Sequence, residues 1–122
     1  MVLSLAACTS KEQPRDDRAL RAAQTYYEAL CAGNYEAYMQ GISDIDSLPP
    51  VYRDQLLVNV KQFMARQKAE HGGISEVRAV TFKSDSLQHR TDVFLMLCYG
   101  DSTKEEIVVP MVERGGAWRM KN

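Results

Sequence analysis

Residues 74–121, ISEVRAVTFKSDSLQHRTDVFLMLCYGDSTKEEIVVPMVERGGAWRMK, decide the fold of this chain. Three turn signals divide the stretch into four apolar runs, namely Ser84-Asp85-Ser86, Gly100-Asp101-Ser102 and Gly115-Gly116. Short turns of Gly, Asp and Ser between β-prone runs are typical of antiparallel hairpins. The stretch therefore predicts a four-stranded antiparallel meander, and the residues before it must supply the helices that cover it.

The segment before the meander predicts three helices. Pro14 suits the first turn of helix one, whose apolar face recurs at helical spacing and which Gly33 ends. A short second helix is predicted from Tyr35 to Gln40, and the loop after it closes with Pro49-Pro50. A long amphipathic helix then runs to about His71. Its stripe, which is apolar apart from Gln67, consists of Tyr52, Leu56, Val60, Phe63 and Gln67.

Composition limits the possible functions. The chain has 122 residues, of which 45% are hydrophobic and 25% charged, as expected for one globular domain. The 15 basic and 16 acidic residues alternate along the chain and leave a net charge of -1. Binding to phosphate groups needs a basic face. We therefore expect no nucleic-acid partner.

The N-terminus carries a short targeting signal. Leu5-Ala6-Ala7-Cys8 resembles a bacterial lipobox, in which small residues precede a cysteine that becomes lipidated. Only Met1 to Ser4 come before it, whereas a secretory signal needs an apolar region of about 7–15 residues. We therefore expect a truncated or misassigned start. The alternative is an ordinary N-terminus that happens to contain a cysteine.

The lipobox leads to a prediction about domains and localisation. Residues 1–14 would be a lipobox remnant and tether, and residues 15–122 one domain. Cys8 would anchor this domain to a membrane of the cell envelope, such as the outer membrane, on the periplasmic side. We expect the lipid anchor to be the only contact with the membrane.

Hairpin geometry assigns residues to the two faces of the sheet. A turn at 100–103 puts residue 96 opposite 107 and 94 opposite 109, and a turn at Gly115-Gly116 puts 111 opposite 120. The face predicted to lie under the helices then comprises Phe94, Met96, Cys98, Ile107, Val109, Met111, Trp118 and Met120. The outer face carries Val93, Leu95, Leu97, Tyr99, Val108 and Val112.

Six apolar residues on the outer face of the sheet indicate that this face is buried against further protein surface. We expect homodimerisation through this face, which light scattering can test, since a monomer at micromolar concentration would exclude it. The alternative is that strong curvature, or helices wrapping over an edge, buries part of the face within one chain.

Five segments carry a resemblance to a known superfamily, namely 26–30 (YYEAL), 33–37 (GNYEA), Gly73-Ile74, 91–100 and 115–120 (GGAWRM). Over about residues 15–122, the chain resembles the nuclear transport factor 2-like, or cystatin-like, superfamily. More narrowly, it resembles the small bacterial lipoprotein families of unknown function within that superfamily. The resemblance implies a cone-shaped α+β domain of three helices on a curved meander. It also implies dimers through the sheet and, often, a pocket between helices and sheet.

Residues suited to catalysis are few. Enzymes of the superfamily place an Asp or His dyad inside the cone, and Asp92 falls on the predicted inner face, where burial would raise its pKa and make it a base. A solvated position at the rim is the alternative. Tyr27, Tyr52 and Trp118 are further candidates for a pocket lining. No spacing in the sequence suggests a metal site or a cofactor, and none is expected.

Two cysteines remain besides Cys8. Cys31 at a helix end and Cys98 on the predicted inner face could pair in an oxidising periplasm. The alternative, which we favour, is two free buried thiols.

These observations favour a membrane-tethered, non-catalytic domain that binds a protein or a small ligand. The alternative is an enzyme or small-molecule carrier that uses a pocket between helices and sheet. A deep cavity with converging polar groups would favour the alternative.

Overall fold

The computed structural model describes residues 14–122, with side chains from residue 17 onward. Within this range, three helices precede four strands, and a short 3-10 turn, Ile45–Ser47, lies before the third helix. The helices are α1 (Pro14–Cys31), α2 (Tyr35–Gln40) and α3 (Pro50–His71). The strands are β1 (Ile74–Asp85), β2 (Arg90–Tyr99), β3 (Lys104–Arg114) and β4 (Ala117–Met120). They form one antiparallel sheet in chain order, so the predicted α+β architecture is confirmed.

Local signals explain where the helices begin and end. The Asn34 side chain accepts a hydrogen bond from the Ala37 backbone N–H at 3.2 Å and so caps α2. Helix α3 ends at Gly72, whose φ of 76° is a left-handed conformation that glycine adopts without steric cost. The long helix predicted to end near His71 is therefore confirmed.

Helix α1 packs directly on the sheet. Ala19 and Ala23, both fully buried, bring the α1 backbone close to the strands because their side chains are small. Tyr26, one turn further along, donates its hydroxyl hydrogen to the Trp118 carbonyl at 2.7 Å and ties α1 to β4. The core therefore lies between α1 and one face of the sheet.

The register between β2 and β3 differs by one residue from the prediction. Leu95 lies opposite Ile107 and Val93 opposite Val109, whereas the prediction put residues 96 and 94 at these places. The shift arises because the Tyr99 N–H bonds the Thr103 carbonyl at 2.9 Å, which leaves a three-residue turn at 100–102 with Ser102 at a left-handed φ of 74°. The register between β3 and β4, with Met111 opposite Met120, is confirmed.

This one-residue shift exchanges the two faces of β2, because side chains alternate along a strand. Placing Phe94, Met96 and Cys98 on the inner face was wrong, and so was placing Val93, Leu95, Leu97 and Tyr99 on the outer face. The latter four are at most 5% exposed and belong to the core. The predicted inner positions on β3 and β4 were right: Val109, Met111 and Met120 are core residues, and Ile107 and Trp118 pack against them.

The outer face is consequently less apolar than predicted. Val108 is 51% exposed, but Val112 is only 4% exposed within the single chain. Phe94 and Met96, now on this face, are half-buried. Homodimerisation stays a prediction, and the surface available for it centres on Phe94, Met96 and Val108.

Helix α3 is packed less tightly than the rest of the fold. None of its 22 residues is buried, and Val51, Tyr52 and Val58 are exposed. Even the α3 side chains that face α1 and α2, namely Leu56, Val60 and Phe63, are only half-buried. Helices in proteins gain most of their stability from tertiary packing, so α3 is the element with the least support of this kind.

Candidate functional site

An apolar cavity of about 240 Å³ lies between α3 and the two shorter helices. Helix α3 contributes Leu56, Asn59, Val60 and Phe63 to its lining. The opposite wall consists of Tyr27, Leu30, Tyr38 and Ile42. Three members of the stripe predicted for α3, namely Leu56, Val60 and Phe63, therefore face this cavity.

Tyr27 and Tyr38 form the inner wall of the cavity. Their rings meet edge to face, with centroids 5.5 Å apart and an interplanar angle of 89°, a favourable aromatic geometry. Burial raises the pKa of Tyr27 strongly, and its hydrogen bond with Tyr38 raises this pKa further. Burial also raises the pKa of Tyr38. Both hydroxyls therefore stay protonated at neutral pH and can donate hydrogen bonds.

A second cavity, of about 180 Å³, lies on the other side of the tyrosine pair. Tyr27, Tyr38 and Ile42 line it as well. Its remaining lining comes from the sheet and the C-terminal segment, and comprises Val108, Val109, Pro110, Met120, Lys121 and Asn122. The Lys121 N–H bonds the Pro110 carbonyl at 2.8 Å, which holds the segment beside β3.

The structure brings together only part of the predicted site. Tyr27 lines both cavities, but Tyr52 is 65% exposed and lines neither. Trp118 packs against the core, with its buried Nε1 unpartnered among the described residues, and also lines neither cavity. The sequence-based reasoning did not select Ile42 and Asn59, which no periodic pattern marks.

The inner-face position predicted for Asp92 was wrong. Asp92 lies opposite Pro110, on the outer face, because the register of β2 is shifted. Its Oδ1 lies 3.1 Å from Arg90 Nε, and both side chains are about one-quarter exposed, at 26% and 27%. Asp92 therefore has a cationic partner on the outer side of the sheet and faces neither cavity.

Cys31 and Cys98 are free thiols in the structure. Cys31 is half-buried and packs against the core from α1, whereas Cys98 belongs to the outer face. The two residues lie on opposite sides of the sheet. A disulfide between them would have to cross it.

A polar cluster attaches the C-terminal end of α3 to the turn between β2 and β3. His71 Nδ1 lies 3.0 Å from Asp101 Oδ2, and its ring stacks on Tyr99 with centroids 4.4 Å apart. The Tyr99 hydroxyl in turn donates to Glu105 at 2.7 Å. Burial and the neighbouring Glu105 raise the pKa of Tyr99 to about 12. His71, at the end of α3, therefore has a specific carboxylate partner in the turn between β2 and β3.

Asp101 should make stability depend on acid pH. Hydrogen bonds from the Thr103 hydroxyl and backbone, then His71, lower its pKa from 3.8 to about 2. A carboxyl group whose pKa is lower in the folded state than in the unfolded state stabilises the fold at pH values above its unfolded-state pKa. This contribution disappears as the pH falls from about 4 to about 2. We expect the stability difference between wild type and Asp101→Asn in urea unfolding to shrink over this interval. A difference that stays constant with pH would contradict this assignment.

Comparison with known proteins identifies the fold. No protein-family model matches the chain, and no curated protein matches it in sequence. Its structure is similar to one from Campylobacter jejuni that is provisionally named an NTF2-like transpeptidase. The TM-score is 0.66 at 12% identity, over 82% of this chain and 94% of the other. The fold is nuclear transport factor 2-like. At this identity, the likeness concerns only the fold.

The described residues of this nuclear transport factor 2-like fold hold neither a candidate metal site nor a candidate transmembrane helix. Residues 14–122 contain no group of three or more His, Cys, Asp or Glu side chains placed to hold a metal ion. No helix in the same range is both long and apolar enough to cross a membrane. The predicted lipidation site, Cys8, lies outside the described residues.

Proposed function

We propose that this domain binds a small, largely apolar ligand, without catalysing its conversion, in the cavity beneath α3. The observation that carries the proposal is the combination of a 22-residue helix without a buried residue and an apolar cavity of about 240 Å³ under its stripe. Filling that cavity would bury Leu56, Val60 and Phe63 further. A ligand would therefore supply the packing that α3 lacks.

The lining of the cavities favours binding over catalysis. Among the described residues, neither cavity is lined by an Asp, Glu, His, Ser or Cys side chain. Acid–base catalysis needs a group that titrates near the working pH, and the lining tyrosines have pKa values raised above their ordinary range. A transpeptidase, as the similar Campylobacter protein is provisionally named, also needs a nucleophile within reach of a base. These groups are missing from the described walls of the two cavities beside the tyrosine pair. A third cavity, of about 260 Å³ between α2 and the start of α3, has the carboxylates of Glu36 and Asp54 in its described lining but no Ser, Cys or His.

Filling the cavity should weaken ligand binding. We expect Val60→Trp to weaken binding of the neutral, environment-sensitive dye N-phenyl-1-naphthylamine by about tenfold or more, or roughly 1.4 kcal/mol. The indole would occupy the space between α3 and the tyrosine pair, because Val60 lines the cavity. A fluorescence titration measures the effect.

The matched control is Val58→Trp, on the same helix. Val58 is 45% exposed and lines neither cavity, so its replacement should leave the affinity for the dye nearly unchanged. Circular dichroism establishes that both variants keep their helices. Equal dye binding by wild type and both variants would place the site elsewhere, and no dye binding by wild type would remove the proposal.

We also propose that the domain is tethered to the periplasmic side of an envelope membrane through Cys8. The lipobox-like sequence Leu5-Ala6-Ala7-Cys8 supports this localisation. Intact-mass spectrometry of protein isolated from its native host tests it. A chain that retains an uncleaved, unmodified Met1 would exclude lipidation.

A further inference from the structure

The two cavities share part of their walls. Both are lined by Tyr27, Tyr38 and Ile42. The rings of Tyr27 and Tyr38 are in edge-to-face contact in this shared part. A rotation of the Tyr38 side chain would join the two spaces, and the binding mode proposed below requires it.

The sizes of the cavities favour a ligand that uses both. Pockets for drug-sized molecules typically measure about 300–1,000 Å³. The cavities measure about 240 and 180 Å³, so each alone is small and the joined space falls within that range. A ligand that extends past the tyrosine pair would thus have a space of ordinary size for a small molecule, although both cavities are partly open to solvent.

The two cavities differ in their chemistry. The cavity beneath α3 is lined by apolar side chains, two phenols and the amide of Asn59. The second contains Lys121, which is the one charged side chain in either lining among the described residues. Apolar surface at one end and a cation at the other are complementary to an amphipathic anion.

We propose that the ligand is an amphipathic carboxylate, with its hydrocarbon part beneath α3 and its carboxylate beside Lys121. This inference rests on the proposed function and adds the class of ligand. Tyr27 and Tyr38 support it, because a phenol that stays protonated can donate a hydrogen bond to a carboxylate oxygen. The hydroxyls now bond each other, and displacement of Tyr38 would free the Tyr27 hydroxyl for the ligand.

The test compares two ligands of equal chain length, dodecanoate and 1-dodecanol, by isothermal titration calorimetry at neutral pH. Lys121 is exposed, and ion pairs at exposed sites are weak. We expect wild type to bind dodecanoate about three- to fivefold more tightly than dodecanol. Because salt screens exposed charges, this preference should fall in about 1 M salt.

Lys121→Gln should remove the preference for dodecanoate and leave the affinity for dodecanol unchanged. The matched control is Lys61→Gln, since Lys61 lies 5.8 Å from the centroid of the Tyr35 ring and lines neither cavity. This control should keep the preference.

The outcomes separate the two proposals. Equal binding of dodecanol and dodecanoate by wild type, or a preference that survives Lys121→Gln, would overturn the carboxylate inference and leave apolar binding intact. If wild type binds neither ligand and also fails to bind the neutral dye, the proposed function itself fails. Dye binding without binding of either ligand would overturn the inference alone.

Discussion

Leu95→Ala is expected to lower the free energy of unfolding by about 3–4 kcal/mol, which is a large part of the total for a domain of this size. Leu95 is fully buried in the central strand β2, opposite Ile107 and beneath α1. Removal of its isobutyl group loses apolar burial and leaves a cavity, because neighbouring strands hold the backbone in place. Urea unfolding followed by circular dichroism measures the change.

Leu87→Ala is the matched control for this change. Leu87 lies in the turn between β1 and β2 and is 92% exposed, so the same substitution should alter stability by less than about 0.5 kcal/mol. The pair also tests the register of β2 directly. If Leu95 faced outward, as the predicted turn at 100–103 implies, its replacement by Ala would lower the free energy of unfolding by far less than about 3–4 kcal/mol.

Gly100→Ala is expected to lower the free energy of unfolding by about 2–3 kcal/mol and to loosen the C-terminal end of α3. A Cβ atom at residue 100 would lie 2.6 Å from the Gly72 carbonyl oxygen. This oxygen belongs to the backbone and cannot rotate away. The clash would separate the turn from the helix end, where Gly100 N–H bonds the Gly73 carbonyl at 2.8 Å and Asp101 N–H bonds the His71 carbonyl at 2.9 Å.

Hydrogen exchange with mass spectrometry should show this loosening as faster exchange around His71 and Gly73. Gly33→Ala is an informative comparison, because a Cβ there meets no atom within 4 Å but the residue has a φ of 82°. The Gly33→Ala variant should lose only about 1–2 kcal/mol of unfolding free energy, because alanine is unfavourable in a left-handed conformation. Hydrogen exchange at the end of α3 should stay unchanged. Normal exchange at His71 in Gly100→Ala would show that this contact does not hold the helix.

Most of the elements were predictable because their signals are local. Gly72 ends α3 through its left-handed conformation, and Asn34 caps α2 through its own side chain. The two-residue turn at Gly115-Gly116 adopts positive φ at both glycines, which determines the register of β4 without reference to the rest of the fold. In each case the chemistry of one or two residues is sufficient.

The candidate site was less predictable. The apolar stripe of α3 was visible in the sequence, and Leu56, Val60 and Phe63 belong to it. Its partners Tyr38 and Ile42 come from α2 and the loop after it, and only the packing of the three helices brings them opposite that stripe. Tyr52 belongs to the same stripe but lies near the start of α3, where it is exposed.

The sequence by itself determined the number, type and order of the elements, and with them the α+β meander of a nuclear transport factor 2-like fold. Which face of β2 is buried was decided only by the tertiary structure. Positions 93–98 of this strand are all apolar, so their pattern fits either face. The choice depended on Ser102, a residue that rarely adopts the left-handed conformation required here. That one turn moved the core to Leu95 and the outer surface to Phe94 and Met96.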